Sequence, residues 1–371
     1  MSWYSMRRSH LTVPFALAAL IGCQDSITSS STGPREIPNP RLSAFPGTNG
    51  KIAFSGLLGG VGTINPDGSG LQMLTSDGGM PSWSADGSKI AFTSNADGDN
   101  EIYVMNAGGT GRVQLTSDDA NDQLPSWSPD GTRIAFASTR SGQNRIYVMN
   151  ANGSNVVALT TRVGDGDDNL PAWSPDGAKI VFTSTRGAGY SQIYVMNADG
   201  SNQTALTSTS QYELDPRWSP DGSKIAFSHR DNLTAPVDVF VMNANGTNVT
   251  NLTASATFDE ATPAWSPDGT KIAYISNRGG NLAIYVINPD GSGETSIPNS
   301  SASVYLDWQP RPAAPACVFG PKTYTRLQGQ PQNITETFTA TPGIYIVEAG
   351  GGCTCNSYWR GRYLITKNVT P

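Results

Sequence analysis

Apolar residues along this chain fall in short runs of four or five, at fixed offsets, each closed by a polar turn. One set reads Lys89-Ile90-Ala91-Phe92, Arg133-Ile134-Ala135-Phe136, Lys179-Ile180-Val181-Phe182, Lys224-Ile225-Ala226-Phe227 and Lys271-Ile272-Ala273-Tyr274. A second set reads Ile102-Tyr103-Val104-Met105-Asn106, with counterparts ending at Asn65, Asn150, Asn197, Asn243 and Asn288. The runs are rich in Ile, Val, Phe and Tyr and are bounded by Pro-Asp-Gly, Ala-Asp-Gly or Asn-Gly, which predicts strands joined by tight hairpins. Helical periodicity is absent throughout this region.

These runs sit inside a longer repeat. A Trp landmark recurs at Trp83, Trp127, Trp173, Trp218, Trp265 and Trp308, a spacing of 43 to 47 residues. Nine residues beyond each Asn stands Leu74, Leu115, Leu159, Leu206, Leu252 or, in the last unit, Ile297. Several short strands in a unit of roughly 40 to 50 residues predict propeller blades. A linear solenoid, which would need capping repeats at both ends, is the competing architecture. The ends of the array favour closure. It opens at Lys51-Ile52-Ala53-Phe54 without a Trp block before it, and finishes at Val304-Tyr305-Leu306-Asp307-Trp308 without a Lys-Ile-Ala-Phe block after it. Pairing these complementary fragments completes the first blade and removes two exposed strand edges. The expected fold is all-β: a six-bladed β-propeller over residues 47–311 closed by a C-terminal strand, followed by a small β-rich segment over 312–371.

The residues of the unit carry a resemblance. Trp-Ser-Pro-Asp-Gly running into Lys-Ile-Ala-Phe, with Ile-Tyr-Val-Met-Asn and Leu-Thr, resembles the TolB-type propeller repeat. That resemblance covers about 265 of the 371 residues and implies a six-bladed propeller in a bacterial cell envelope. TolB itself has a separate α/β domain ahead of its propeller, whereas only a short linker precedes Lys51, so its role in the Tol-Pal system does not carry over directly.

The N-terminus bears on compartment. Arg7 and Arg8 precede eleven mainly apolar residues, Leu11 to Ile21, too few to span a bilayer but suited to the core of a secretory signal over residues 1–22. Leu20-Ile21-Gly22-Cys23 resembles a bacterial lipobox, which implies lipidation of Cys23; Gln24 after it leans toward the outer membrane by the same resemblance. Residues 23–46 are rich in Ser, Thr and Pro and read as a flexible tether. Loss of Arg7 and Arg8 moves the formal net charge from −6 to −8. This is no nucleic-acid profile, and it favours cationic or metal-bridged partners.

The placement of charge narrows this further. The Asp residues of the Ser-Pro-Asp-Gly turns, such as Asp130 and Asp176, read as turn formers bonding nearby backbone N–H groups. On the opposite face, loops entering the inner strands carry Asp118, Asp119 and Asp122, then Asp165, Asp167 and Asp168, then Glu213 and Asp215, then Asp259 and Glu260. Loops between the second and third strands bring Arg140, Arg186, Arg230 and Arg278 to the same face. Two readings follow: arginines that tie these acids down as loop supports, or an acidic funnel receiving a basic peptide segment or a divalent cation. Asp97, Asp99 and Glu101 read as a solvated loop. Pro81, Pro125, Pro171, Pro216 and Pro263, each two positions before a Trp, are expected to open the inner strands, and the Trp side chains to fill the space between blades.

Catalysis has little support. His10 and His229 are the two histidines, so no His pair exists for a transition-metal site, and no Gly-x-Ser-x-Gly elbow appears. The one enzymatic alternative is a calcium-dependent hydrolase of the lactonase or esterase type, with carboxylates holding Ca²⁺ and supplying the base. Beyond Pro312 the alternating runs Asn333 to Ala340 and Gly343 to Val347 predict two or three more strands. A bridge from Cys317 to Cys353 or Cys355 would add about 4 kcal/mol there. The leading expectation is a monomeric, lipid-anchored scaffold without a catalytic residue or an obligatory cofactor. It would bind an envelope protein or cell-wall glycan through its acidic face.

Overall fold

The computed structural model describes residues 48–56, 59–161, 166–187, 189–300 and 303–311, and the backbone of four further strands between residues 333 and 368. Six antiparallel sheets of four strands each make up the repeat region, and no helix occurs among the described residues. Blade 2 shows the pattern: Gly79–Trp83 is innermost, followed outward by Lys89–Ser94, Glu101–Asn106 and Val113–Gln114. Blades 3, 4, 5 and 6 open with Asp122–Trp127, Asp168–Trp173, Tyr212–Trp218 and Glu260–Trp265.

Blade 1 is assembled from both ends of the repeat region. Its innermost strand, Ser303–Arg311, lies antiparallel to Thr48–Gly56, with Ile52 opposite Trp308 and Ala53 opposite Asp307. Neighbouring inner strands touch all the way round, and the closing strand contacts those of blades 2 and 6. Closure by the C-terminal strand is therefore as the complementary end fragments predict.

Why these residues form these strands is visible in the packing. The second strand of each blade is covered on both faces, so Ile90, Ala91 and Phe92, like Ile134, Ala135 and Phe136, have no exposed surface. Both faces being dry explains an unbroken apolar run in place of alternation. Register aligns one aromatic pair in each of blades 2 to 6: Phe92 faces Tyr103 with ring centroids 5.8 Å apart, and Phe136 faces Tyr147 at 6.0 Å. Such pairs contribute roughly 0.2–1 kcal/mol each. The Trp residues fill the space between blades, as expected. Trp127 packs with Ala91, Ile102 and Val104 of blade 2 and with Ile134 and Phe136 of its own blade; Trp308 joins Ile52 and Phe54 to Ala264, Ala273 and Ile284 of blade 6.

The Ser-Pro-Asp-Gly turns close as their chemistry dictates. Ser128 Oγ donates to Asp130 Oδ1 at 2.6 Å, the Thr132 N–H donates to the same oxygen at 3.0 Å, and Gly131 takes φ 68°. In blade 4 the Ser174 hydroxyl and the Ala178 N–H hold the Asp176 carboxyl below its usual range.

One expectation needs correction. The prolines do not open the inner strands, which start two to four residues earlier. They follow a bulge. Ladder register breaks between Gln123 and Ser126, and at the equivalent place in every other blade. The residue three before each Trp is left-handed: Met80, Leu124, Leu170, Asp215, Thr262 and Tyr305, with φ between 46° and 58°. A non-glycine residue there costs on the order of 1–3 kcal/mol. Pro is tolerated because the bulge has already interrupted the ladder it cannot donate to.

Farther along, Asn333–Phe338 pairs with Tyr363–Asn368 and Gly343–Ile346 with Asn356–Trp359, both antiparallel. Cys23, Cys317, Cys353 and Cys355 lie outside the described residues.

Candidate functional site

The loop face entering the inner strands is organised by a buried acid at the fifth position before the Trp. Asp122, Asp168, Glu213 and Glu260 occupy it in blades 3 to 6, with relative exposures of 0, 2, 2 and 0%. In blades 3, 4 and 6 an Arg on the loop after the second strand of the same blade is the partner. Arg140 Nη2 lies 2.6 Å from Asp122 Oδ2 and 3.0 Å from Asp118, and Arg186 Nη2 lies 2.7 Å from Asp168. Arg278 bridges Glu260 and Glu294. In blade 5 His229 takes the role, its Nδ1 3.5 Å from Glu213 Oε1. The Glu213 carboxylate raises the His229 pKa against the opposing effect of burial. The guanidinium groups also lie over the blade aromatics: that of Arg140 is 5.5 Å from the Phe136 centroid and 5.0 Å from that of Tyr147.

The ten acids grouped on this face by sequence therefore divide. Asp122, Asp168, Glu213 and Glu260 are buried loop anchors, and Asp215 is buried on the blade 5 bulge. Asp118, Asp119 and Asp259 are exposed, and Asp167 is half-buried. Asp167 Oδ1 accepts from the Asn144 N–H at 2.9 Å, and Asp259 Oδ1 from the Val237 N–H at 3.2 Å. Asp165 lies outside the described residues. Of the four arginines assigned to these loops, Arg140, Arg186 and Arg278 are held by acids, while Arg230 lies 5.3 Å over the Tyr212 ring.

Blade 2 departs from this scheme. Ala96 stands where blades 3, 4 and 6 carry Arg, and Arg112 takes over, reaching Asp77 through two bonds of 2.7 and 2.8 Å with its guanidinium 4.2 Å from the Tyr103 ring centroid. The Asp97-Gly98-Asp99-Asn100-Glu101 segment is not the solvated loop its composition predicts. Asp97 is exposed and Asp99 half-buried, but Glu101 has 0% exposure. Burial pushes Glu101 up to about 7, and the nearby Thr116 hydroxyl offsets this only in part.

The central channel holds groups that the sequence pattern concealed. Because of the bulge, the residue just before each Trp lines a cavity of about 140 Å³; in blades 1 to 6 these are Asp307, Ser82, Ser126, Ala172, Arg217 and Ala264. Where that residue can accept, it ties adjacent blades together. The Trp83 N–H donates to Asp307 Oδ2 at 2.6 Å, and those of Trp127 and Trp173 to Ser82 and Ser126 at 3.3 and 3.4 Å. Burial raises Asp307 to about 6, opposed by the Trp83 N–H and by the charge of Arg217. Arg217 is half-buried, and its Nη1 donates to the Pro216 carbonyl at 3.0 Å. Asp215 is likewise raised by burial, with Arg217 and a 3.0 Å bond from Ser228 Oγ opposing. The signal for Arg217 and Asp307 was the identity of the residue before the Trp, where other units carry Ser or Ala.

Six blades of four antiparallel strands around a channel define a β-propeller. The TolB beta propeller domain matches residues 72–168 and 161–304, and the chain belongs to that family. Among solved structures, TolB from Acinetobacter baumannii is 26% identical with a TM-score of 0.61, covering 73% of this chain and 69% of that one. A protein from Agrobacterium tumefaciens described as a TolB is 20% identical, with a TM-score of 0.56 over 71% of this chain and 91% of that one. A chain of a nidogen–laminin complex is 10% identical, TM-score 0.57, over 70% of this chain and 98% of that one, which is a likeness of fold. A search of curated protein sequences returned no match.

Proposed function

We propose that this propeller is a non-enzymatic binding scaffold of the bacterial cell envelope, held to a membrane by lipid on Cys23 and docking a basic segment of a partner protein on its acid-bearing loop face. The carrying observation is how charge is distributed on that face. Arg140, Arg186 and Arg278 are engaged by buried acids, so the exposed charges on these loops, among the described residues, are Asp97, Asp118, Asp119, Asp231 and Asp259. An exposed surface of one sign steers a partner of the other. Family membership and the likeness to TolB from Acinetobacter baumannii support a scaffold reading. The sequence signals at Arg7, Arg8 and Leu20 to Cys23 support export and anchoring.

Crosslinking in the native envelope tests the docking face. Combined Asp119→Lys and Asp259→Lys substitutions should abolish the partner band given by wild type, because both carboxylates are exposed and neither pairs with a loop arginine; an unaltered band counts against the face. Fractionation tests the tether. Cys23→Ser should move the protein from the membrane pellet to the soluble fraction, and retention in the pellet would defeat lipid attachment.

A further inference from the structure

The acid cluster of blade 2 has a property that its counterparts lack. Glu101 opens the third strand, and in blades 3, 4 and 5 the equivalent residue is satisfied by its surroundings. Arg145 Nη1 donates to the Asn144 and Gly166 carbonyls at 2.8 and 2.7 Å. Gln192 donates to the Gln211 carbonyl at 2.8 Å and accepts from the Thr209 N–H at 2.7 Å. Asp238 accepts from Asn251 and from the Ser255 N–H, both at 2.8 Å. At Glu101 both carboxylate oxygens are buried and make no hydrogen bond of ordinary geometry, the Thr116 hydroxyl acting on them only from nearby, and Oδ1 of Asp122, the nearby acid that opens blade 3, is likewise without a bond. A buried carboxylate without a donor is costly unless something cationic completes it.

The local charge points the same way. Asp97, Asp99, Glu101, Asp118 and Asp122 gather here, and Arg140 is the cation facing them, already bound to Asp118 and Asp122; Arg112 is committed to Asp77. Oxygens of Asp97, Asp99 and Glu101 lie within 4.8 Å of one another. Two oxygens on a common calcium, each at 2.3–2.6 Å, are separated by at most about 4.6–5.2 Å, so this spread suits that ion. Hard oxygen donors suit either alkaline-earth ion; the wide spread, and an exposed Asp97 side through which water would complete six to eight ligands, favour calcium over magnesium, which demands a tighter octahedron.

We infer that Asp97, Asp99 and Glu101 form a calcium site that clamps blade 2 to the entry loop of blade 3. The clamp has a path in the backbone: the Asp122 N–H donates to the Asn100 carbonyl at 2.6 Å, and the Asn100 N–H to Asn121 Oδ1 at 3.3 Å. An ion on Asp99 and Glu101 therefore stiffens the point where one blade hands the chain to the next. The site stands on its own geometry and does not depend on the docking face.

Calorimetric titration of the full chain with CaCl₂ after chelator treatment, paired with thermal melts, tests this. Wild type should bind with a Kd of about 10⁻⁴–10⁻³ M, the range of extracellular calcium modules. Its Tm should rise by about 3 °C at tenfold saturation. Glu101→Gln should weaken the apparent affinity at least tenfold, and the exposed Asp97→Asn variant should do the same without endangering the fold. Asp259→Asn, on blade 6, should retain the full response. Absence of heat and of a melting shift in wild type overturns the site, as does an undiminished response in both Asp97→Asn and Glu101→Gln. An equal response to MgCl₂ overturns the assignment to calcium.

Discussion

His229 shows how a single side chain can substitute for the arginine used elsewhere. It stands beside the buried Glu213 carboxylate, which raises its pKa from the ordinary value near 6.5. A histidine with a raised folded-state pKa contributes stability that is complete below the unfolded pKa and disappears as pH rises through the folded one. His229→Gln should therefore cost more at pH 5.5 than at pH 8.5, by an amount on the order of 1 kcal/mol. Denaturant titrations at the two pH values check this, and equal losses would remove the ionic role. Asp307 acts in the same direction, over a lower pH range. Its raised pKa of about 6 means that stability falls as pH climbs from the ordinary carboxyl range to that value. Asp307→Asn, which still accepts the Trp83 N–H, should be at least as stable as wild type at pH 8. Neither environment was legible beforehand. A lone His beside Arg230, or an Asp before a Trp, gives no hint of burial, whereas the turn role of Asp130 is written in its Ser-Pro-Asp-Gly context.

At the scale of the element, the loops after the second strands of blades 3, 4 and 6 are each secured by an Arg paired with a buried acid. Arg186 and Asp168 are the best enclosed, with side-chain exposures of 10 and 3%. Arg186→Ala leaves a buried carboxylate without its partner and should cost about 3–5 kcal/mol, visible as a lower midpoint in urea; a loss under about 1 kcal/mol would place the pair with ordinary surface bridges. Strands and hairpins were readable because β-branched and aromatic runs alternate with Asp-Gly turns at constant offsets. The bulges were not, because the left-handed position holds Met, Leu, Leu, Asp, Thr and Tyr, with no glycine to announce it. The prolines after it were visible, but they mark the end of the irregularity and so misplaced the strand starts. The same limit applies to Glu101, which reads as one of several loop acids until the neighbouring blade covers it.

For the whole molecule, the closing strand is what joins the first blade to the last. Deleting Val304 to Trp308 removes Leu306 and Trp308 from the cluster shared by blades 1 and 6 and frees the edge of Thr48–Gly56. The melting temperature of the entire ring should fall, by about 8–16 °C if a loss of about 4 kcal/mol is spread at roughly 2–4 °C per kcal/mol. An unchanged melt would mean that the blades are held together without closure. The six-fold count and the closure were legible because the terminal fragments of the repeat are complementary.

The origin of blade 1 from both ends of the repeat has a consequence for biogenesis. A chain emerging from a ribosome or a translocation pore presents Thr48–Gly56 some 250 residues before Ser303–Arg311 arrives to pair with it. Throughout that interval the oldest part of the nascent protein offers an open hydrogen-bonding edge. A holding chaperone would find its target there, and any truncated product would be marked for degradation by the same unfinished seam.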